Sequence, residues 1–338
     1  MLTNNVKILS AAVALALLGG CASGGGGGND ENVIGDTLPE LLLCAPLAIC
    51  GARTDTTTAT QSAPRFIAEG TDTSGLQYDT KPDGTIQPGA GSGTAARQVL
   101  LQTGSNKELL FLETNWGLRL GGAGRDLPGH SGLAYVGAAR GLDSAPSPFL
   151  DSGDPAVSQS GLAQPTVGVV ANPFQLGWSY QSFGIWNTHS GDAGVLQSLN
   201  FGLSTHASAI PTNGAATFKG KLAGFYVSPT GTGSIAGANI TVKADFENRS
   251  LQFGSSGTTL TRNVSTVSSA PQLNLSGTLT YSPGSNSFTG TLVNAGGTMN
   301  GVSYGRFYGP AAQELGGAFT VKSPTSVEAF TGAYGAKQ

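Results

Sequence analysis

The chain has 338 residues, of which only 11% are charged, against about 25% in an average globular protein. A net charge of −3 gives no electrostatic case for nucleic-acid binding, which needs a basic patch. Its 52 glycines follow no three-residue period, so a collagen-like rod is excluded, and low charge with many Gly, Thr and Ser suits a secreted β-rich protein.

At the N-terminus, Lys7 precedes the apolar run ILSAAVALALL (8–18). That run is too short to span a bilayer as a stable helix and has the layout of a signal peptide. It ends at Leu18-Gly19-Gly20-Cys21. An ordinary cleavage site needs small residues but no cysteine, and a chance cysteine is the alternative here. Cysteine directly after Leu-Gly-Gly resembles the bacterial lipobox, which implies removal of residues 1–20 and acylation of Cys21. The next residue is Ala22, not Asp; this implies onward sorting to the outer membrane, where several acyl chains anchor stably and one alone is marginal. The segment 21–72 reads as tether and linker, because its glycine-rich start (ASGGGGGNDEN, 22–32) cannot repay its ordering entropy. Within it, Cys44 and Cys50 form an even pair in CAPLAIC, a candidate local disulfide in an oxidising envelope, with two free thiols as the alternative. A thioredoxin-like site would need C-x-x-C.

Strand signals begin at ELLFLETNWGLRL (108–120), where Leu110, Leu112, Thr114, Trp116, Leu118 and Leu120 share one face. GLAYVGAAR (132–140) could pair with it, and the Pro-, Ser- and Asp-rich stretch 143–161 reads as a connection. From about 172 the alternation is insistent. FKGKLAGFY (218–226) turns Phe218, Gly220, Leu222, Gly224 and Tyr226 inward; NITVKADF (239–246) does so with Ile240, Val242, Ala244 and Phe246; LNLSGTLTY (273–281) with Leu273, Leu275, Gly277, Leu279 and Tyr281. Such strands are wet on one face and apolar on the other. About eight of them are expected between 176 and 322. Glycines on the apolar faces favour closure into a small barrel, with a sandwich as the alternative architecture. A transmembrane barrel is disfavoured, because its outer face would be an apolar band.

GRFYGPAAQELGGAF (305–319) differs from its surroundings. Phe307 should end a strand, Gly309-Pro310 break it, and Pro310 open one helical turn over PAAQE. Gly316-Gly317 should then start the closing strand, with Leu315, Gly317, Phe319 and Val321 on one face. On this reading Phe307 and Phe319 are core, and Glu314 satisfies local amides at the turn.

The stretch YGRFYGPAAQELGGAFTV (304–321) resembles the C-terminal signature of the transferrin-binding protein B and factor H-binding protein β-barrel family. YQSFGIW (180–186), PTNGAATFKGKLAG (211–224) and ADFENRSLQF (244–253) resemble it in order, so the resemblance covers roughly 172–322. It implies an all-β protein with an eight-stranded antiparallel soluble barrel over 171–338, preceded by a looser β handle over 73–170, on a surface lipoprotein. The barrel-closing motif it implies is Phe307, Tyr308, Gly309, Pro310, Glu314, Gly316, Gly317 and Phe319, structural in role. Transferrin-binding protein B has two such lobes and this chain has room for one.

No chemistry of catalysis is legible, and no catalytic or metal-binding residue is expected. The histidines His130, His189 and His206 show no i, i+4 pair, no Cys or carboxylate cluster completes a metal shell, and each is expected in a loop or on the surface. GAGRDLPG (122–129) lacks the helix of a phosphate loop, and no G-x-S-x-G elbow on a strand-to-helix turn appears. The expectation is a non-enzymatic, membrane-anchored surface lipoprotein that binds an extracellular host or environmental protein, an iron carrier among the candidates, with no cofactor. Tyr135/Arg140 and GFY (224–226) are candidate contacts. The alternatives are a haem module, whose axial ligand one of the three histidines would supply, and a coat lipoprotein without a specific ligand.

Overall fold

A computed structural model describes residues 65–91, 98–103, 109–114, 119–140, 166–190, 192–262 and 267–338. Cys21, Cys44, Cys50, residues 21–64 of the segment expected to be tether and linker, and the stretch 143–161 lie outside these residues; the last part of that segment, 65–72, is not linker but the start of a strand, Arg65–Thr80. The described part is β throughout, apart from one short α-helix and two 3-10 turns.

The first sheet contains β1 (Arg65–Thr80), β2 (Ile86–Gly91), β3 (Gln98–Thr103), β4 (Leu109–Thr114), β5 (Arg119–Leu127), β6 (His130–Arg140), β7 (Thr166–Ala171), β8 (Gln181–Ser190) and β9 (Ala193–Gly202). Its order is β2-β1-β3-β4-β5-β6-β7-β8-β9, and β9 pairs back onto β1. The 16-residue β1 makes this return by pairing β3 through its first residues and β9 from Glu69 onward.

The second sheet contains β10 (Ala215–Val227), β11 (Gly233–Asp245), β12 (Ser250–Thr261), β13 (Val267–Ser269), β14 (Leu275–Tyr281), β15 (Ser287–Asn294), β16 (Asn300–Tyr308), β17 (Glu314–Lys322) and β18 (Ala329–Lys337). β11 pairs with both β10 and β12, and β18 pairs with both β10 and β17. All nine strands except β13 therefore close into an eight-stranded antiparallel barrel. The three-residue β13 only extends the line of β14 along β12.

Several expectations change. YQSFGIW lies at and within β8, which belongs to the first sheet and not to the barrel; the passage from sheet to barrel falls at 203–214 rather than at 171. Both sheets are antiparallel and both carry buried apolar faces, so alternation alone does not assign a strand to either. ELLFLETNWGLRL is two strands, since Leu112 pairs with Leu120 and Glu113 with Arg119. The strand starting near Gly316 is not the last one; β18 closes the ring. PAAQE forms no helical turn. The chain reverses through Gly309 (φ 86°) and Ala312 (φ 57°), and Glu314 already pairs with Tyr308 in the sheet.

The barrel interior holds the expected faces: Phe218, Leu222, Ile240, Val242, Leu279, Phe307, Leu315, Phe319 and Val321 share one buried cluster. Phe307 is its aromatic hub at one end. Its ring centroid lies 5.4 Å from Tyr281 and 5.5 Å from Phe288, both edge-on, and 6.0 Å from Phe246. Gly317 faces the same interior, where an added Cβ would stand 2.3 Å from the Tyr304 carbonyl oxygen.

The outer face is less uniform than expected. Ala223, Phe225 and Val227 of β10, Ile235 of β11, and Ala329 and Ala333 of β18 point outward and are buried. They pack against Leu76, Tyr78, Leu133, Tyr135, Phe183, Ile185 and Leu196 of the first sheet in a second core. The first sheet thus covers one side of the barrel.

Phe307→Ala should cost about 3–5 kcal/mol by emptying a fully buried aromatic site. Urea unfolding of the full chain, followed by near-UV circular dichroism, reads this. A midpoint equal to that of the unsubstituted chain would remove Phe307 from the core.

Candidate functional site

The segment 305–317 is a seam between the two sheets. Between β7 and β8 lies α1 (Pro173–Leu176), capped by Asn172, whose Oδ1 accepts from the amides of Phe174 and Gln175, and ended by left-handed Gly177. The following residues are tied to the barrel. Ser179 N donates to Glu314 Oε1 at 2.7 Å, Tyr180 N donates to Glu314 Oε2 at 3.0 Å, and Lys337 Nζ donates to the Gly177 carbonyl at 2.9 Å. Glu314 is 3% exposed; burial pushes its carboxyl above the usual range, opposed by the amides of Ser179, Tyr180 and Gln181 and by Lys337. It does satisfy amides, but those of the other sheet rather than local ones.

The rest of the motif serves the same seam. Tyr308 is buried and bridges to Ser204. Gly309 N donates to the Leu203 carbonyl, and Thr205 Oγ1 donates to the Gly309 carbonyl at 2.7 Å. Pro310 is exposed at the turn. Gly316 faces outward into the seam, where a Cβ would stand 2.2 Å from Asn200 Nδ2 and 2.3 Å from Gln181 Oε1. Asn200 Nδ2 donates to Gln181 Oε1 and to the carbonyls of Ser182 and Tyr334, while Gln181 Nε2 donates to the Ala336 carbonyl. Phe319 faces inward and meets Phe330 edge-on at 5.0 Å. Sequence reading missed Gln181 and Asn200; both strands carry other polar residues, so no local pattern singled these two out.

Of the expected contact residues, Tyr135, Phe225 and Tyr226 are buried; the side chain of Arg140 lies outside the described ones. His130 is not at the surface either; it is 2% exposed between the sheets. His206 is exposed, and its Nδ1 stands 2.8 Å from Ser208 Oγ. The side chain of His189 lies outside the described ones. Among the described residues no group of three or more His, Cys, Asp or Glu could hold a metal ion, and no helix is long and apolar enough to cross a membrane.

At the end opposite the seam, hairpin tips from both sheets meet. They are Lys81-Pro82-Asp83-Gly84-Thr85 between β1 and β2, Ser228-Pro229-Thr230-Gly231-Thr232 between β10 and β11, and 323–328, beginning Ser323-Pro324-Thr325, between β17 and β18. Ile86 N donates to the Gly231 carbonyl at 2.8 Å, and Lys322 Nζ to the Gly89 carbonyl at 2.5 Å. Each tip is stiffened by its own side chains. Asp83 Oδ1 accepts from the Thr85 hydroxyl (2.6 Å) and amide (2.9 Å), bonds that hold the Asp83 carboxyl below its usual range. Ser228 Oγ accepts from Thr232 N at 3.0 Å, and Ser323 Oγ from Thr325 N at 3.3 Å. Beneath the third tip, Tyr226 OH donates to buried Glu328 at 2.8 Å. Such turns present polar and proline surface with little entropy left to lose on binding.

Residues 210–338 match the family model described as C-lobe and N-lobe beta barrels of Tf-binding protein B. That match spans the whole of the second sheet, from β10 to β18. No curated protein matches the chain in sequence. Among solved structures, a point variant of transferrin-binding protein B from Actinobacillus pleuropneumoniae aligns over 82% of this chain and 99% of its own, at 10% identity and a TM-score of 0.39. The isotype 1 protein from Neisseria meningitidis aligns over 85% and 82%, at 12% identity and 0.36. A protein described as a surface lipoprotein aligns over 79% and 98%, at 10% identity and 0.41.

Glu314→Ala leaves the amides of Ser179 and Tyr180 buried without their acceptor and should cost about 1–3 kcal/mol. Limited proteolysis would then cut first around 173–180 while the barrel stays intact. Unchanged cleavage kinetics would mean that the seam does not depend on this carboxylate.

Proposed function

We propose that this is a lipid-anchored surface protein that binds an extracellular protein through the rim of hairpin tips at 81–85, 228–232 and 323–328, in the manner of an iron-acquisition receptor. The observation that carries the reading is the meeting of three self-braced, exposed tips from two different sheets at one end of the molecule. Polarity supports it. Glu69 of β1 pairs with Gly202, whose Cβ position lies against Tyr308 at the seam end, so the chain enters β1 at the end away from the rim. A lipid on Cys21 followed by a glycine-rich tether would leave the rim facing outward.

The family of the barrel names transferrin as the partner to try first. A rigid scaffold with variable tips suits partner choice, because a tip can change without disturbing the core. Haem gains no support from His130, whose ring is engaged between the sheets rather than beside an open slot.

The test uses the full chain with Cys21→Ser. Loss of the protein from a salt-washed membrane fraction is the expected result for this variant, and its retention there would sink the lipid anchor. Immobilised, it is offered transferrins and, separately, hemin. Thr230→Arg and Thr325→Arg should weaken captured transferrin by about tenfold or more with an unchanged melting temperature. Binding that survives both rim changes, or a one-to-one Soret shift with hemin and no protein capture, would overturn the rim reading.

A further inference from the structure

The β5–β6 hairpin carries His130 one residue after left-handed Gly129, in Leu127-Pro128-Gly129-His130. The hairpin tip is seated against the barrel wall. An added Cβ on Gly237 of β11 would lie 2.5 Å from His130 Cδ2 and 2.6 Å from Leu127 Cδ2, so only glycine leaves room for this ring. The seat lies at a register break, because β11 and β12 shift relative to one another between Gly237 and Asn239. On β12, Thr259 Oγ1 stands 2.9 Å from His130 Nε2. Nδ1 is buried with no hydrogen-bond partner.

Few charges face the ring among the described side chains. Lys221 of β10 lies close enough to act on it, with its ammonium donating to Asn239 Oδ1 at 2.8 Å. On β5, Asp126 accepts from Gln175 Nε2 at 2.8 Å, and its charge acts on Lys221. The other groups against the ring are uncharged: Leu127, Gly237 and Thr259. A neutral imidazole fits such a seat; an imidazolium would place a second N–H in it without an acceptor and beside a cation.

We propose that His130 is an acid-sensitive latch: its protonation unseats the β5–β6 hairpin from β11 and β12 and opens this side of the sheet–barrel interface while the barrel stays closed. Burial first, and Lys221 second, push the His130 ring down to about 4 from 6.5. A histidine held low in the closed state stabilises that state fully above its ordinary value. The contribution is lost as pH falls from about 6.5 toward about 4. This device does not depend on which partner the rim binds.

Amide hydrogen exchange on the full chain, normalised to intrinsic rates, tests it. Between pH 7.5 and 5.0 the opening equilibrium of residues 127–136 should rise by about 30-fold, the ratio implied by those two values. Peptides from β15 and β16 should show no rise. His130→Gln, which cannot take up the proton, should remove the dependence. An unchanged ratio in the unsubstituted chain, or the same rise in His130→Gln, overturns the latch. Should that variant fail to fold, the ring's own NMR titration in the unsubstituted chain decides: a midpoint near 4 supports the latch and one near 6.5 overturns it.

Discussion

Ala223, Phe225 and Val227 point out of a barrel whose interior is already filled by Phe218, Leu222 and Tyr226 of the same strand. A strand apolar on both faces cannot leave its outer face in water without losing on the order of 25 cal/mol per Å² of exposed apolar surface. The first sheet supplies the cover. Ile235, Ala329 and Ala333 extend the outer apolar patch over β11 and β18, and the apolar face of β1, β6, β8 and β9 closes on it. Everything else in the architecture follows from this second core. It determines which side of the barrel is covered, and it leaves the outer faces of β14 and β15 to Ser276, Thr278, Thr280, Thr289 and Thr291.

Polar groups trapped at the edges of that core set its register. Ser74 of β1 joins Thr320 and Thr331 in one hydroxyl cluster, with Thr331 also donating to the Phe319 carbonyl. Gln181 and Asn200 are matched to two glycines, Gly316 and Gly335, whose missing side chains make room for their amides. Glu314 closes one end. Buried groups of this kind cost free energy unless every partner is in place, so they tolerate only one alignment of sheet against barrel. The same alignment brings the β1–β2 tip beside the β10–β11 tip at the far end.

Much of the barrel is legible in the alternation of apolar and polar residues. Inward faces such as Ile240, Val242, Ala244 and Phe246 are set by the period of two, and turn residues such as Pro283-Gly284 mark where strands stop. Phe307 and Phe319 as core, and the all-β class, are legible for the same reason. The ownership of β8 is not. Its alternation places Phe183 and Ile185 on a buried face without saying whose, because both sheets present the same kind of surface. Phe225 within GFY looked like an exposed aromatic for a related reason: a period-two pattern assigns the second face to water unless something covers it, and the cover is a different sheet.

The sequence by itself determined which residues alternate, where the chain turns and that a cysteine follows a short apolar run, since these depend on neighbours a few positions apart. Only the tertiary structure decided that Glu314 holds the amides of Ser179 and Tyr180, that His130 is sealed between sheets, and that three proline-bearing tips share one rim. Those facts depend on pairs far apart in the chain: 135 and 134 residues for Glu314 with Ser179 and Tyr180, 129 for His130 with Thr259, and 233 for Lys322 with Gly89. Such contacts exist only once two cores have closed together, and no local pattern carries their address.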